Sequence, residues 1–192
     1  MFVPSTARDA NRNVTILRTK RLTLRPVQPE DAPAFEAFYG DADVMSIRKY
    51  GVLDPAVART QLREMLRHWR THGFGMWVVT DAATGAFAGE CGLRWLEDRT
   101  DVELSYGLYP RFRGRGLATE AARAIVDYGI DVLELGRIVA LSRGDNTGSH
   151  RILENLGMNL EWRRPSEPHG LVKYVLLTRM YTSPNKVVGT DP

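Results

Sequence analysis

Residues 109–121, YPRFRGRGLATEA, alternate Arg111, Arg113 and Arg115 with Phe112, Gly114 and Gly116 just before a helical pattern begins. Cations packed this closely suit an anion. Leu117 and Ala118 open the helix, so their amides have no partner one turn back, and the helix dipole adds partial positive charge there. Glycines permit unusual dihedrals and a close backbone approach, and arginines add charge-assisted hydrogen bonds. Together these are the ingredients of a pyrophosphate cradle. A solvated basic turn has a similar composition, so the neighbouring segments must separate the two. A Walker loop is absent, and a dinucleotide fingerprint would need glycine where Thr119 stands.

Other chemistry is sparse. There is no Gly-x-Ser-x-Gly elbow and no evident Cys/His pairing. The lone Cys91 reads as a small core residue. His68, His72, His150 and His169 show no metal-ligand spacing, so no metal is expected. Glu103 is a carboxylate in the middle of the chain, on a segment that alternates. Val102, Leu104, Tyr106 and Leu108 fall on one face of that segment, and Glu103, Ser105 and Gly107 fall on the other.

The elements that must hold these residues follow from periodicity and punctuation. RLTLRPV reads as a strand stopped by proline, and PEDAPAFEAFYG as a helix ending at Gly40. DPAVARTQLREMLRHWRTHG is a helix capped by Asp54, with Ala58, Leu62, Met65, Leu66 and Trp69 on one face and Gly73 closing it. Residues 76–80 and 86–96 form a hairpin, and residues 102–108 a further strand. A long helix over 116–136 packs Ala118, Ala121, Ala122, Ile125, Tyr128 and Val132. RIVALS is a short apolar strand of the kind buried on both faces. NTGSHRILENLG is a short helix, and MNLEWRR and LVKYVLLTRMY end the chain as strands. This order is α/β with a mixed sheet in one domain, and the strand–helix–strand over 102–142 fits a right-handed crossover.

Length and charge narrow the function classes. The chain has 192 residues and a formal net charge of +3, too small a surplus to argue for nucleic acid by itself. Arg111, Arg113, Arg115, Arg123, Arg137, Arg143 and Arg151 lie within residues 111–151, which suits a phosphorylated small molecule better than a long phosphate-tracking stripe. No apolar run approaches the roughly 20 residues that span a bilayer, and MFVPSTARDANRN lacks the apolar segment of a secretory signal. The expectation is a cytoplasmic protein with no membrane or direct nucleic-acid partner, as a monomer or homodimer.

The arrangement Arg111-x-x-Gly114-x-Gly116 between strand and helix resembles the acetyl-CoA pyrophosphate loop of the GNAT superfamily of N-acetyltransferases. TKRLTLRPVQPEDAPAF, GRGLATEA and DNTGSHRILENLGM resemble its Rim-type branch, which includes ribosomal-protein N-terminal acetyltransferases, and the likeness runs over residues 17–180. It implies the GNAT fold: α/β, one domain over 17–182, with a mixed, mostly antiparallel sheet splayed at the acetyl-CoA site and flanked by helices. Flexible segments are expected at 1–16 and 183–192.

The resemblance also implies roles. Tyr106, Gly107 and Leu108 would hold pantetheine and, through a backbone N–H, the acetyl carbonyl. Arg111, Arg113, Gly114, Arg115, Gly116, Leu117, Ala118, Asn146 and Arg151 would complete the coenzyme site, with no metal. Glu103 would take the acceptor amine's proton, although a salt bridge to a nearby arginine explains it equally well. Glu161 is the alternate carboxylate. The tyrosine that many such enzymes use to protonate the thiolate falls on Leu153, whereas Ser149 matches a serine of the Rim-type branch. Ser149 and Asn146 also make sense as plain helix-start residues.

The implied function is acetyl transfer directly from acetyl-CoA to a primary amine, with a protein or peptide N-terminal α-amine as the leading acceptor. The alternatives are a small-molecule amine (amino acid, polyamine or aminoglycoside) or a coenzyme A-binding module without catalysis. Asp41, Asp43, Glu97, Asp98 and Asp101 would serve a cationic acceptor, or simply a solvated face.

Overall fold

In a computed structural model, residues 16–48, 51–165 and 168–181 are described. The expected loose ends lie outside them, Ile16 excepted. Eight strands form one sheet in the order β1-β2-β3-β4-β5-β6-β8-β7. They are β1 (Leu17–Arg18), β2 (Leu22–Pro26), β3 (Met76–Asp81), β4 (Phe87–Trp95), β5 (Val102–Leu108), β6 (Arg137–Arg143), β7 (Asn159–Arg164) and β8 (Leu171–Leu177). The β5–β6 pair is parallel and the other pairs are antiparallel. This is the splayed mixed sheet that the resemblance implied.

Helices cover both faces. Helices α1 (Ala32–Gly40), α2 (Ala42–Met45) and α3 (Pro55–His72) pack Phe35, Phe38, Val44, Met45 and Leu62 against Met76 and Val78 of β3. On the opposite face α4 (Leu117–Asp131) and α5 (Thr147–Asn155) set Ile125 and Leu153 against Trp77, Leu93, Leu104 and Ile138. Burying each such large side chain is worth about 1.5–3 kcal/mol, so the strand alternation that splits these residues between faces fixes the layers. Asp54 caps α3 by accepting from the Ala56 and Val57 N–H groups, and Gly73 ends it at φ 74°. A cap of this kind contributes about 1 kcal/mol.

Several boundaries differ from expectation. Strand β1 and helix α2 were not anticipated, and the segment before Gly40 divides into a 3-10 turn (Pro29–Asp31) and α1. Helix α4 stops at Asp131 rather than 136, and Val132, expected to pack, is 61% exposed. The Leu133 and Leu135 N–H groups turn back to the Tyr128 and Gly129 carbonyls, and Glu134 takes a positive φ, which ends the helix. Strand β8 ends at Leu177 and gives way to a 3-10 turn, so Thr178–Met180 is not strand.

The feature that positions the site lies between β5 and β6. They pair only at Val102↔Ile138 and Glu103↔Val139. Beyond Glu103, β5 stays with β4 to Leu108 while β6 stays with β8 to Arg143. A wedge opens between them. Along a strand, alternate backbone groups point to opposite neighbours, so from Leu104 onward the β6-facing N–H and C=O groups of β5 have no strand to bond.

Candidate active site

The arginine loop sits at the open end of this wedge. After β5, Pro110–Phe112 makes a 3-10 turn and Gly116 becomes the N-terminal cap of α4. Gly114 and Gly116 have φ of 71° and 73°, the left-handed region that costs other residues about 1–2 kcal/mol. The first α-type bond runs from the Glu120 N–H to the Gly116 carbonyl. The amides of Leu117, Ala118 and Thr119 therefore precede the intrahelical ladder. A Cβ placed on Gly114 would meet nothing within 4 Å, so the cradle is open at that point.

The loop is tied down from behind by residues not singled out in the sequence. Arg21 donates through Nη1 to the Arg115 carbonyl (2.8 Å) and through Nε to Glu120 Oε2 (2.7 Å). Glu120 Oε1 accepts from Thr19 Oγ1 and from the Arg21 N–H. Partial burial opposes charge on Glu120, but these hydrogen bonds prevail and hold its carboxyl below the usual range. The pairing spans about a hundred residues, so no local pattern signals it.

The arginines do not all face one way. Arg111 stacks on Tyr109 (4.5 Å to the ring centroid) and Phe112 (5.1 Å). Arg113 turns inward, donating through Nε to the Leu108 carbonyl (2.9 Å) and through Nη1 to the Asp43 carbonyl (3.2 Å). Burial lowers its pKa. Arg113 thus joins the end of β5 to α2. Arg115 is exposed at the loop tip, Arg151 is exposed on α5, and the Leu117 side chain enters the core.

Two walls of the wedge meet through side chains on the α4–α5 face. Tyr106 of β5 places its hydroxyl 2.8 Å from Ser149 Oγ and 3.3 Å from the Ser149 carbonyl oxygen. Burial raises the Tyr106 phenol well above its usual range. Ser149 lies in the first turn of α5, and its N–H donates to Asn146 Oδ1 (3.1 Å), so Asn146 does cap that helix. A cap through Oδ1 leaves the Asn146 amide nitrogen available. Leu153 is fully buried, with no hydroxyl to offer.

Glu103 lies on the opposite face of β5, at the apex where the pairing with β6 ends. It is 5% exposed, and its Oε2 accepts from Arg94 Nε of β4 at 2.8 Å. The cross-strand register Arg94↔Glu103 brings them together, so the salt bridge that the sequence allowed is present. Oε1 has no hydrogen-bond partner among the described residues. Glu161, by contrast, pairs with Arg137 (2.6 Å) and Lys173 (3.3 Å), which also hold Asp101.

Beside Glu103 is a network that sequence reasoning missed. Glu90, across from Gly107, accepts from the Tyr39 hydroxyl and pairs with Arg48, both at 2.7 Å. Burial, then the Glu90 carboxylate, raise the Tyr39 pKa well above its ordinary value. The Arg48 guanidinium stands where a Cβ on residue 107 would be, so a larger residue there would have to displace it. A charged residue in the otherwise small and apolar FAGECGL was the available signal. Next to it lies a cavity of about 290 Å³ lined in part by Met45, Ser46, Arg48, Val52, Arg143 and His169 and, among the described residues, by no carboxylate.

Cys91 and His68 are structural. Cys91 is buried, and burial pushes its thiol up. His68 uses both ring nitrogens, on the Phe74 carbonyl and the Trp95 N–H. Among the described residues no group of three or more His, Cys, Asp or Glu could hold a metal, and no helix is long and apolar enough to cross a membrane.

Comparison with known proteins agrees with this geometry. Residues 21–159 match the model of the acetyltransferase (GNAT) domain family. The uncharacterized protein YkkB of Bacillus subtilis is 33% identical over 79% of this chain and 92% of its own. The spermidine N(1)-acetyltransferase of Escherichia coli K12 is 26% identical over 72% and 73% of the respective chains. Among solved structures, an acetyltransferase from Agrobacterium tumefaciens superposes with a TM-score of 0.75 at 27% identity, covering 89% of this chain and 99% of that one.

Proposed function

Since this chain belongs to the GNAT acetyltransferase family and is an N-acetyltransferase, we propose that it moves the acetyl group of acetyl-CoA directly onto a primary amine held on the Glu103 face of β5. The observation that carries this reading is the wedge itself. Its unpaired β5 edge leads straight into the left-handed glycines and free amides ahead of α4. In this reading the pyrophosphate lies on the amides of residues 114–118, and pantetheine adds to β5 along Tyr106, Gly107 and Leu108. Arg111, Arg115 and Arg151 supply charge, and the Asn146 amide reaches pantetheine.

The base and the hydrogen-bond donor to the leaving sulfur then act from opposite faces. The amine approaches beside Glu103, which takes its proton at Oε1, directly or through water. The amine's lone pair forms the C–N bond, a β5 N–H holds the carbonyl oxygen, and the C–S bond breaks toward Ser149. Replacing Ser149 with Ala is expected to leave coenzyme A affinity nearly unchanged and lower turnover by roughly ten- to a thousand-fold, within the range of general acid–base groups. Full turnover in that variant would leave Ser149 as a helix-start residue only.

For the acceptor, we favour a protein or peptide N-terminal α-amine, in line with the Rim-type resemblance. The carboxylates that would suit a polycation are occupied or scattered. Asp101 is paired with Arg137 and Lys173, Asp98 accepts from Thr100, and Asp41 caps α2. The cavity beside Glu90 is lined by Arg48, Arg143 and His169, themselves paired with Glu90 and Asp145, and offers no unpaired carboxylate among the described residues. A polyamine is the second reading, favoured by the spermidine-acetylating relative. Thiol release from acetyl-CoA is expected with Ser- or Ala-starting peptides and at most a tenth as fast with spermidine at equal concentration. The reverse order would transfer the assignment to polyamines.

A further inference from the structure

We propose that Tyr106 is a positioning residue for the departing sulfur: its phenol donates to Ser149 Oγ and so turns the serine's own hydrogen into the wedge between β5 and β6. The proposal rests on the acetyltransferase reading of this site and adds to it a residue that acts through Ser149.

The geometry is specific. Tyr106 stands on one wall of the wedge and Ser149 on the other, 43 residues apart, with their oxygens 2.8 Å apart. A phenol has one hydrogen, and two acceptors are within reach, Ser149 Oγ and, at 3.3 Å, the Ser149 carbonyl oxygen. The shorter contact has the better geometry for an O–H donor. Of the two hydroxyls the phenol is the more acidic, hence the better donor, and burial keeps it protonated.

The backbone leaves Ser149 little choice. Its N–H is held by Asn146 Oδ1, and among the described residues its Oγ makes no bond back to a carbonyl of the preceding turn, a common fate of helical serines. With one lone pair of Oγ filled by Tyr106, the serine hydrogen is the free valence. It lies at the N-terminus of α5, where the helix dipole favours negative charge. The titratable groups that act on Tyr106, Cys91 of β4 and Tyr174 of β8, have pKa values raised by burial and are neutral at pH 7, and His150, next to Ser149 on α5, turns its ring to the Arg143 carbonyl.

The step balances without an alkoxide. When the C–N bond forms and the C–S bond breaks, sulfur keeps the electron pair and the amine's proton leaves on the Glu103 side. Ser149 stabilises the thiolate by donating a hydrogen bond, and neither hydroxyl loses its proton. Leu153 brings no hydroxyl to this place from α5, and Tyr106 brings one from the facing strand.

The test needs no acceptor. The thiolate absorbance of coenzyme A bound to the protein is titrated against pH, with the complex of desulfo-coenzyme A subtracted. Ser149→Ala and Tyr106→Phe should each raise the pKa of the bound thiol by about one unit, a tenfold change in the thiolate equilibrium, with coenzyme A affinity nearly unchanged below that pKa, where the thiol form binds. The double variant should go no further than Ser149→Ala. A Tyr106→Phe protein that titrates as wild type overturns the proposal. So does an equal extra shift in the Ser149→Ala background, because Tyr106 would then act independently of the serine. Failure of the wild-type chain to bind coenzyme A would instead sink the acetyl-CoA reading of the site, and the proposal with it.

Discussion

Coenzyme A is expected to raise the melting temperature of the wild-type chain and to leave Gly114→Val and Gly116→Val unmoved. Ligands of this kind bind with Kd between millimolar and micromolar, roughly −4 to −8 kcal/mol. At a hundred times Kd the stabilisation is about 2.7 kcal/mol, which for a chain of this size is a shift of roughly 5–10 °C. Both glycines hold a positive φ, so valine forces the loop out of the conformation that aims its amides outward. The variants also lose some stability of their own, on the order of 1–3 kcal/mol for a strained backbone. Each must therefore be compared with itself, with and without ligand. Gly114→Asn separates shape from strain, since asparagine tolerates the left-handed region and space beside residue 114 is open. It should keep part of the shift. A full shift in both valine variants would place the pyrophosphate elsewhere.

The second large effect concerns Glu103. Glu103→Gln keeps the side chain's shape but removes its capacity to take a proton. Turnover should fall most at neutral pH, where an α-amine is mainly protonated, by on the order of 10² to 10⁴. It should recover as pH rises, because free amine then forms unaided. The acidic limb of the pH–rate profile accordingly moves toward the amine's own pKa of about 7.7 to 8.0. A purely structural Glu103 behaves differently. Its bond to Arg94 joins a buried carboxylate to a guanidinium that is 47% exposed, so losing it lowers the melting temperature and leaves the profile in place. Melting temperature and profile measured on the same variant separate the two. An unshifted limb would remove Glu103 from the chemistry and bring Glu90, on the same face of the sheet, forward for testing.

How much of this was legible in the chain depends on the range over which each feature is set. The cradle is local. Gly114 and Gly116 fall just before a helical pattern, and their dihedrals and the free amides follow from a dozen consecutive residues. The two faces of β5 are local as well, because side chains alternate along any strand, and Glu103 and Tyr106 could be assigned to opposite sides before the fold was known. The caps of α3 and α5 at Asp54 and Asn146 were readable for the same reason.

What the tertiary structure alone decided is which of these pieces touch. The family resemblance implied a splay, but where β5 parts from β6, after two paired residues, is a property of two strands about thirty residues apart that neither strand's residues state. Glu103 admitted a base and a salt bridge equally until the β4–β5 register placed Arg94 across from it. Arg113 looked like one more phosphate ligand, but its guanidinium found the end of β5 and α2. Tyr39, Arg48 and Glu90 come from a helix, a loop and a strand far apart in the chain, and Tyr106 meets Ser149 across the wedge. Short-range order is written in dihedral preference and alternation, which each residue carries with it. Contacts between distant side chains depend on how whole strands pair and diverge, and those positions exist only once the sheet has formed.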